Sequence, residues 1–240
     1  MKPLITLAVP HHNRPAMLAE LLCERVLLDR RISKFLVVDD FSSSSCRNAL
    51  GLWARTQLGR FKDFDLKVVL ATSPADCYGN KHRTVQHCET EWVVLMDDDN
   101  QLAPGYLDAL FALPEWEDGV AYLPTFAMPH FDYRVFAGLR VDRHSVAGYC
   151  DDRTFLTALN TANHFFQKGR YLNAWDPSVD PHTADSIYMN YRWLVQGGSL
   201  QFVAGMHYHH RVHDGSHYKQ NVHRTAGFDK VVERMLKSLR

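Results

Sequence analysis

Three carboxylates and an amide, Asp97-Asp98-Asp99-Asn100, follow directly on the apolar run Trp92-Val93-Val94-Leu95-Met96. Adjacent carboxylates repel each other by about 1 kcal/mol or more per close pair, depending on the local dielectric. A chain tolerates such a cluster when a cation sits on it or when the loop is fully wet. All-oxygen donors of this kind suit a hard divalent ion such as Mg²⁺ or Mn²⁺. A second acidic pair, Asp39-Asp40, ends a second apolar run, Phe35-Leu36-Val37-Val38. Late in the chain His207, His209, His210 and His213 crowd around Arg211. Zinc is the rival metal, but the histidines have neither cysteine partners nor an HExxH frame. The plain alternatives are a solvated acidic turn and a polar surface strand.

Groups of this kind need elements that bring them to one place. Short apolar runs ending in acid read as strands buried on both faces of a mostly parallel sheet. Their acids then fall at the carboxyl edge, where open α/β folds bind ligands. In chain order, the first strand is Leu4 to Val9, closed by Pro10, with Asn13 as helix cap and Pro15 in the first turn. Leu18, Leu21, Leu22 and Val26 mark its helix. Phe35 to Val38 is the second strand, and a helix from about Cys46 to Leu58 turns Leu50, Trp53 and Leu58 inward. Leu66 to Leu70 is the third strand, Gly79 opens a helix reaching Cys88, and Trp92 to Met96 is the fourth strand. Four alternations of strand and helix predict a parallel sheet with right-handed crossovers. No glycine-rich turn follows the first strand, which argues against a GxGxxG dinucleotide fold or a P-loop.

The second half is less regular. Pro104 to Phe111 reads as a helix, Val120 to Leu123 and Leu200 to Ala204 as strands. Between Phe126 and Asp152 lies an irregular stretch rich in aromatic, Arg and Gly residues, of the kind that forms a lid, a binding loop or a surface excursion with its own small core. From about Thr225, Phe228, Val231, Val232, Met235 and Leu239 form the stripe of a terminal helix. At 240 residues, 46% hydrophobic and 22% charged, the chain reads as one globular domain. Lys plus Arg equal Asp plus Glu at 27 each, so no charge excess points to nucleic acid or an anionic membrane. Five cysteines without a CxxC pair argue against a disulfide framework. With neither a signal-peptide pattern nor an apolar run of membrane length, the expectation is a cytoplasmic protein without a transmembrane segment.

The stretch Ile5-Thr6-Leu7-Ala8-Val9-Pro10-His11-His12-Asn13-Arg14-Pro15 resembles the opening strand of the family-two nucleotide-sugar glycosyltransferases with the GT-A fold. Val37-Val38-Asp39-Asp40-Phe41-Ser42 is similar to their VVDDGS segment, with Phe41 where glycine is usual, and Leu95-Met96-Asp97-Asp98-Asp99 resembles their LDxDD element, the DxD motif. The resemblance implies an α/β fold of GT-A type, a single domain with a central mostly parallel sheet flanked by helices. Its nucleotide and metal half would span 1–105 and its acceptor half 106–240.

It also implies roles. Asp39 would accept a hydrogen bond from the base, and Pro10 and His12 would wall the pocket, with Asn13, Arg14 and Asp98 in the same donor-binding set. Asp97 would bond the ribose, Asp99 the metal, and Arg83 the phosphate or the acidic loop. Tyr171 to Pro177 stands where the family has GGFDE, without the glycines. Asp185 matches the acid that acts as general base in inverting members, with Asp180 in reserve. Tyr208 to Ser216 resembles a late YxxRxHxxS loop, which carries Arg211, His213 and Ser216 into the site and makes His213 a metal ligand.

The function so implied is metal-dependent (Mn²⁺ or Mg²⁺) transfer of a sugar from a nucleotide-diphosphate donor, a UDP-sugar, to an acceptor hydroxyl with inversion. The acceptor would be a glycan, lipid or protein. A nucleotidyltransferase is one alternative, although a Gly-rich basic signature near the N-terminus is missing. A non-catalytic nucleotide-sugar-binding module is the other.

Overall fold

The first four strands assemble as their apolar runs demand. In the computed structural model, which describes residues 2–61, 64–161, 163–216, 219, 221, 223 and 227–239, β1 (Ile5–His11), β2 (Ile32–Asp39), β3 (Leu66–Leu70) and β4 (Trp92–Leu95) lie parallel in the order β3-β2-β1-β4. Every residue of β1 and β4 is buried, which is why both are continuously apolar. The chain winds outward from β1 to β3, then returns to place β4 on the other side of β1. The acid-ended strands β2 and β4 therefore flank β1, at the switch point of the sheet.

Local chemistry shifts some boundaries. The sequence pattern stops the first strand at Val9, but β1 runs through Pro10, paired with Val38, to His11, paired with Asp39. β4 pairs with β1 only as far as Ala8, so at Pro10 that side of the strand needs no N–H donor. Asn13 caps no helix: it takes a left-handed φ of 56°, and α1 (Pro15–Leu21) starts from Arg14 without a side-chain cap. The stripe Leu18 to Val26 is split between α1 and α2 (Glu24–Leu27). In α3 (Ser44–Arg60) Leu50 is buried and Trp53 partly so, while Leu58 is 46% exposed and Ala54 takes the inward position. Helix α4 (Asp76–Gln86) starts three residues before Gly79.

The rest of the chain extends the same sheet. β5 (Gln101–Leu102), α5 (Pro104–Ala112) and β6 (Val120–Met128) come first. The irregular stretch contains β7 (Phe131–Asp132) and β8 (Arg140–Val141), and has no core of its own: Tyr133, Phe136, Val146 and Cys150 are buried in the main apolar cluster, with Phe136 against Phe155 and Phe202. After α6 (Arg153–Leu159), β9 (Phe165–Gln167) enters antiparallel between β4 and β6, and β10 (Ser199–His209) lies parallel to β6. The result is one ten-stranded mixed sheet, its long ladders parallel, flanked by helices.

Trp92 stacks on Phe165 across β4 and β9 at 5.2 Å, tying the two halves of the sheet through one apolar cluster. Further helices are α7 (Lys168–Ala174), α8 (Asp185–Val195) and α9 (Phe228–Lys237). α9 buries Val232 and Leu236, leaving Val231 exposed; Thr225, the expected start, lies outside the described residues. All five cysteines are free. Among the described residues no helix is long and apolar enough to cross a membrane.

Candidate active site

At the carboxyl ends of β2 and β4 the acids separate into different tasks. Asp39, fully buried, accepts from Arg47 Nε at 2.7 Å and from the Ser42 N–H at 3.2 Å, both on Oδ2. Its Oδ1 is buried with no partner. An unpaired buried carboxylate oxygen is costly unless something donates to it, so this oxygen is free to accept from an N–H or O–H. Phe41 follows at a φ of 57°, the left-handed conformation that explains the usual glycine, and the Arg47 guanidinium sits 5.0 Å from its ring centroid. Asp40 turns the other way. It accepts from the Ala75 N–H at 2.8 Å and from Arg83 Nη1 at 3.1 Å, and burial raises its carboxyl above the ordinary range. Arg83 also donates to the Ser73 carbonyl, so the structure places it against β2's end, away from the acidic loop.

The acidic loop is fixed from both sides. Asp98 is buried, with Oδ2 2.7 Å from His11 Nδ1 and 3.2 Å from the His12 N–H. Arg14 Nε lies 3.1 Å from Asp98 Oδ1, and its Nη1 pairs with Asp99. Burial opposes the Arg14 charge, but Asp98, Asp99 and Asp97 outweigh it and raise its pKa. Pro10 is buried within β1, and His12 reaches back to the Asp40 carbonyl at 2.7 Å. Asn13 bridges to the other loop: its N–H donates to Ser42 Oγ and its Oδ1 accepts from the Ser43 N–H.

From the far side, β9 brings Asn163, whose left-handed φ of 77° lets Oδ1 accept from the Asp97 N–H at 2.8 Å. Tyr106 of α5 holds the Asn163 carbonyl at 2.7 Å. Neither Asn163 nor Arg47 stands out in the sequence, because each lies outside the acidic runs and earns its place through topology alone.

Lys81 is the largest omission of the sequence reading. Its Nζ, buried on the inner face of α4, lies 2.7 Å from Asp185 Oδ2 and 3.4 Å from Asp97 Oδ1. Burial alone would lower its pKa; Asp185 and Asp97 together hold it well above the ordinary lysine value. Burial also raises the Asp97 carboxyl, with Lys81 opposing and Asp99, Asp185 and Asp98 adding to the rise. The available signal was helical spacing: Tyr78, Lys81 and Val85 share the buried stripe of α4, and Arg83 falls off it. Asp185 begins α8 and also lies 3.7 Å from Cys77 Sγ. Asp180, exposed and bonded to His182 at 3.0 Å, is not drawn into this cluster.

The histidine-rich segment reaches the same edge through β10. A bulge at residues 204–206 shifts its register on β6; Gly205 turns there at a φ of 79°, and buried Thr125 Oγ1 faces the Val203 and Met206 carbonyls. Beyond β10, the Arg211 N–H donates to Asn100 Oδ1 at 3.2 Å, and its Nη1 to Glu20 at 2.6 Å. Its Nε and Nη2 are buried and unpaired. His213 Nε2 lies 3.1 Å from Asp99 Oδ2. A carboxylate with an imidazole suits Mn²⁺. Among the described residues no third His, Cys, Asp or Glu joins them. Diphosphate and water oxygens would have to complete the shell, as Mg²⁺ and Mn²⁺ accept. Ser216, half-buried, carries no such contact to the acids.

Residues 6–142 match the family described as glycosyl transferase family 2. Among solved structures, the mannosyltransferase PcManGT of Pyrobaculum calidifontis, in complex with GDP-Man and Mn²⁺, is 18% identical with a TM-score of 0.63, over 93% of this chain and 61% of its own. S. aureus TarS in complex with UDP-GlcNAc is 15% identical with a TM-score of 0.68, over 97% of this chain and 66% of its own. The chain thus spans about two thirds or less of these proteins. No curated protein matches it. The family's match covers more than half of the chain, so the chain belongs to glycosyl transferase family 2, and its likeness to these solved structures gives it the GT-A fold.

Proposed function

We propose that the protein transfers a sugar from a nucleotide-diphosphate donor, a UDP-sugar, to an acceptor hydroxyl with inversion at the anomeric carbon. The observation that carries this reading is the meeting of Asp97, Asp99, His213, Lys81 and Asp185 at one sheet edge, across β1 from the orphaned Asp39 oxygen. Asp39 Oδ1 takes the N–H of the base, and Pro10, His12 and Asn13 shape the wall beside it. Asp97 bonds the ribose hydroxyls. The unpaired Arg211 donors, with Arg14 released from Asp99, hold diphosphate oxygens. Asp98 positions the loop by gripping His11 and the His12 backbone, and Arg83 positions Asp40. Asp99 and His213 would hold a divalent cation, Mn²⁺ or Mg²⁺, whose positive charge would offset that of the departing diphosphate. Asp185 takes the proton of the acceptor hydroxyl, with Lys81 holding its carboxylate in place. Residues 1–105 are then the donor half and 106–240 the acceptor half, with the late loop returning to close on the donor.

Two substitutions test the assignment. Asp99→Ala should abolish Mn²⁺-dependent UDP release, and Asp185→Asn should lower turnover by about 10²-fold or more with UDP binding retained. Full activity in both variants sinks the proposal. Release of pyrophosphate from a nucleoside triphosphate and a sugar phosphate would favour the nucleotidyltransferase reading. Hydrolysis of a nucleotide-sugar by the purified protein excludes a mere binding module.

A further inference from the structure

A separate cavity of about 490 Å³ opens between α4 and the 175–180 segment. Ligand pockets run from roughly 300 to 1,000 Å³, so this one has room for a bound group. Its wall includes the His82 and Trp175 rings, stacked 3.8 Å apart, and the carboxylates of Asp76 and Asp180. Trp175 Nε1 is buried without a partner. The lining holds one full cation, Arg83, and its Nη1 is already bound to Asp40 and the Ser73 carbonyl. Burial lowers the His82 pKa, which disfavours the charged ring. Asp185 does not line the cavity but lies close to its rim: Cys77, the chain neighbour of the lining residue Asp76, lies 3.7 Å from the Asp185 carboxylate, the Asp185 charge acts on Asp76, and the lining residue Tyr78 meets Tyr188 of α8 at 6.1 Å between centroids.

We propose that this cavity is the acceptor site and that it takes a neutral sugar, held by the His82–Trp175 rings and by the Asp76 and Asp180 carboxylates. The proposal rests on the glycosyl-transfer reading above and names the substrate class of that reaction. Carboxylates accept strong hydrogen bonds from vicinal hydroxyls, and aromatic rings pack against the apolar face of a pyranose. The same two carboxylates repel an acceptor carrying phosphate or uronate. They also disfavour an alkyl chain, which would strip their water and return no hydrogen bond.

Saturation-transfer NMR on the full chain, without donor, reads this directly. The probes are the methyl glycosides of glucose, galactose, mannose and N-acetylglucosamine, with glucose 6-phosphate, glucuronic acid, octanol and a serine-containing peptide as competitors of other classes. A neutral glycoside should bind about tenfold or more tighter than the phosphate and the uronate, a gap of about 1.4 kcal/mol. Trp175→Leu should lose that response. The double variant Asp76→Asn, Asp180→Asn should narrow the discrimination against glucose 6-phosphate several-fold, a change that a merely structural role would not produce. If Trp175→Leu fails to fold, the double variant decides.

Binding of no neutral glycoside, preference for an anionic sugar, alcohol or peptide, or unchanged discrimination in the double variant each overturns the proposal. UDP with Mn²⁺ is titrated into the same samples. Loss of the acceptor assignment alone shows as UDP binding without glycoside binding, whereas absence of UDP binding strikes the glycosyl-transfer reading itself.

Discussion

With Lys81 2.7 Å from Asp185 and 3.4 Å from Asp97, two carboxylates share one buried cation. Removing one partner of a buried pair destabilises by about 3–5 kcal/mol, because the remaining charge is left without compensation. Lys81→Met should therefore lower the melting temperature by about 10 °C, at 2–4 °C per kcal/mol for a chain of this size. Adding Asp185→Asn to it should recover much of that loss; an unchanged melting temperature in the single variant would show that the pair does not hold the site together. His164 gives a pH signature. Burial, helped by the Lys81 charge, drops its pKa to about 4 from 6.5. The unfolded chain binds the proton first, so this contribution to stability is fully present above about pH 6.5 and is lost as the pH falls through 4. Denaturant titrations of the parent and His164→Asn across pH 4 to 7 should differ in slope, with the parent losing about 3 kcal/mol more over that range.

At the scale of elements, two insertions deliver side chains that no strand of the parallel half could supply. β9 runs antiparallel to β4, so Asn163, two residues before β9, arrives where β4 ends and accepts from the Asp97 N–H. The bulge in β10 lets the strand resume toward His210 and His213 after crossing α5, and Thr125 supplies the hydroxyl for its carbonyls. Thr125→Val keeps the shape and leaves those buried carbonyls short of a donor. It should destabilise by about 1–3 kcal/mol in a urea titration. Its further effect should be weaker Mn²⁺ binding, since the same strand aims the late loop at Asp99. A variant as stable as the parent would place the bulge's support in the backbone alone.

Over the whole molecule, the proposed site is assembled from β1, β2, β4, α4, α8 and the segment after β10, so ligands that bridge them should tighten the fold together. UDP with Mn²⁺ at 100 times the dissociation constant should add about 2.7 kcal/mol of stability. Each ligand alone should add less, and Asp99→Ala should remove the Mn²⁺ increment while retaining most of that from UDP. Equal shifts with and without Mn²⁺ would separate the metal from the nucleotide site.

The sequence by itself determined the parallel half. Strands buried on both faces must be continuously apolar, and acids directly after them can only fall at the carboxyl edge, so Asp39, Asp97 and Asp99 could be placed before any coordinates. The switch point followed from the same alternation of strand and helix. What only the tertiary structure decided was which carboxylate faces which partner. Asp98 and Asp99 are neighbours in the chain, yet one is buried on His11 while the other meets Arg14 and His213. Lys81 rather than Arg83 joins the cluster, because a two-residue step on a helix turns a side chain to the opposite face. Pairings of this kind span about 85–115 positions of sequence, from His11 to Asp98 and from Asp99 to His213. Local patterns encode burial and direction of travel; they carry no record of contacts made at that distance.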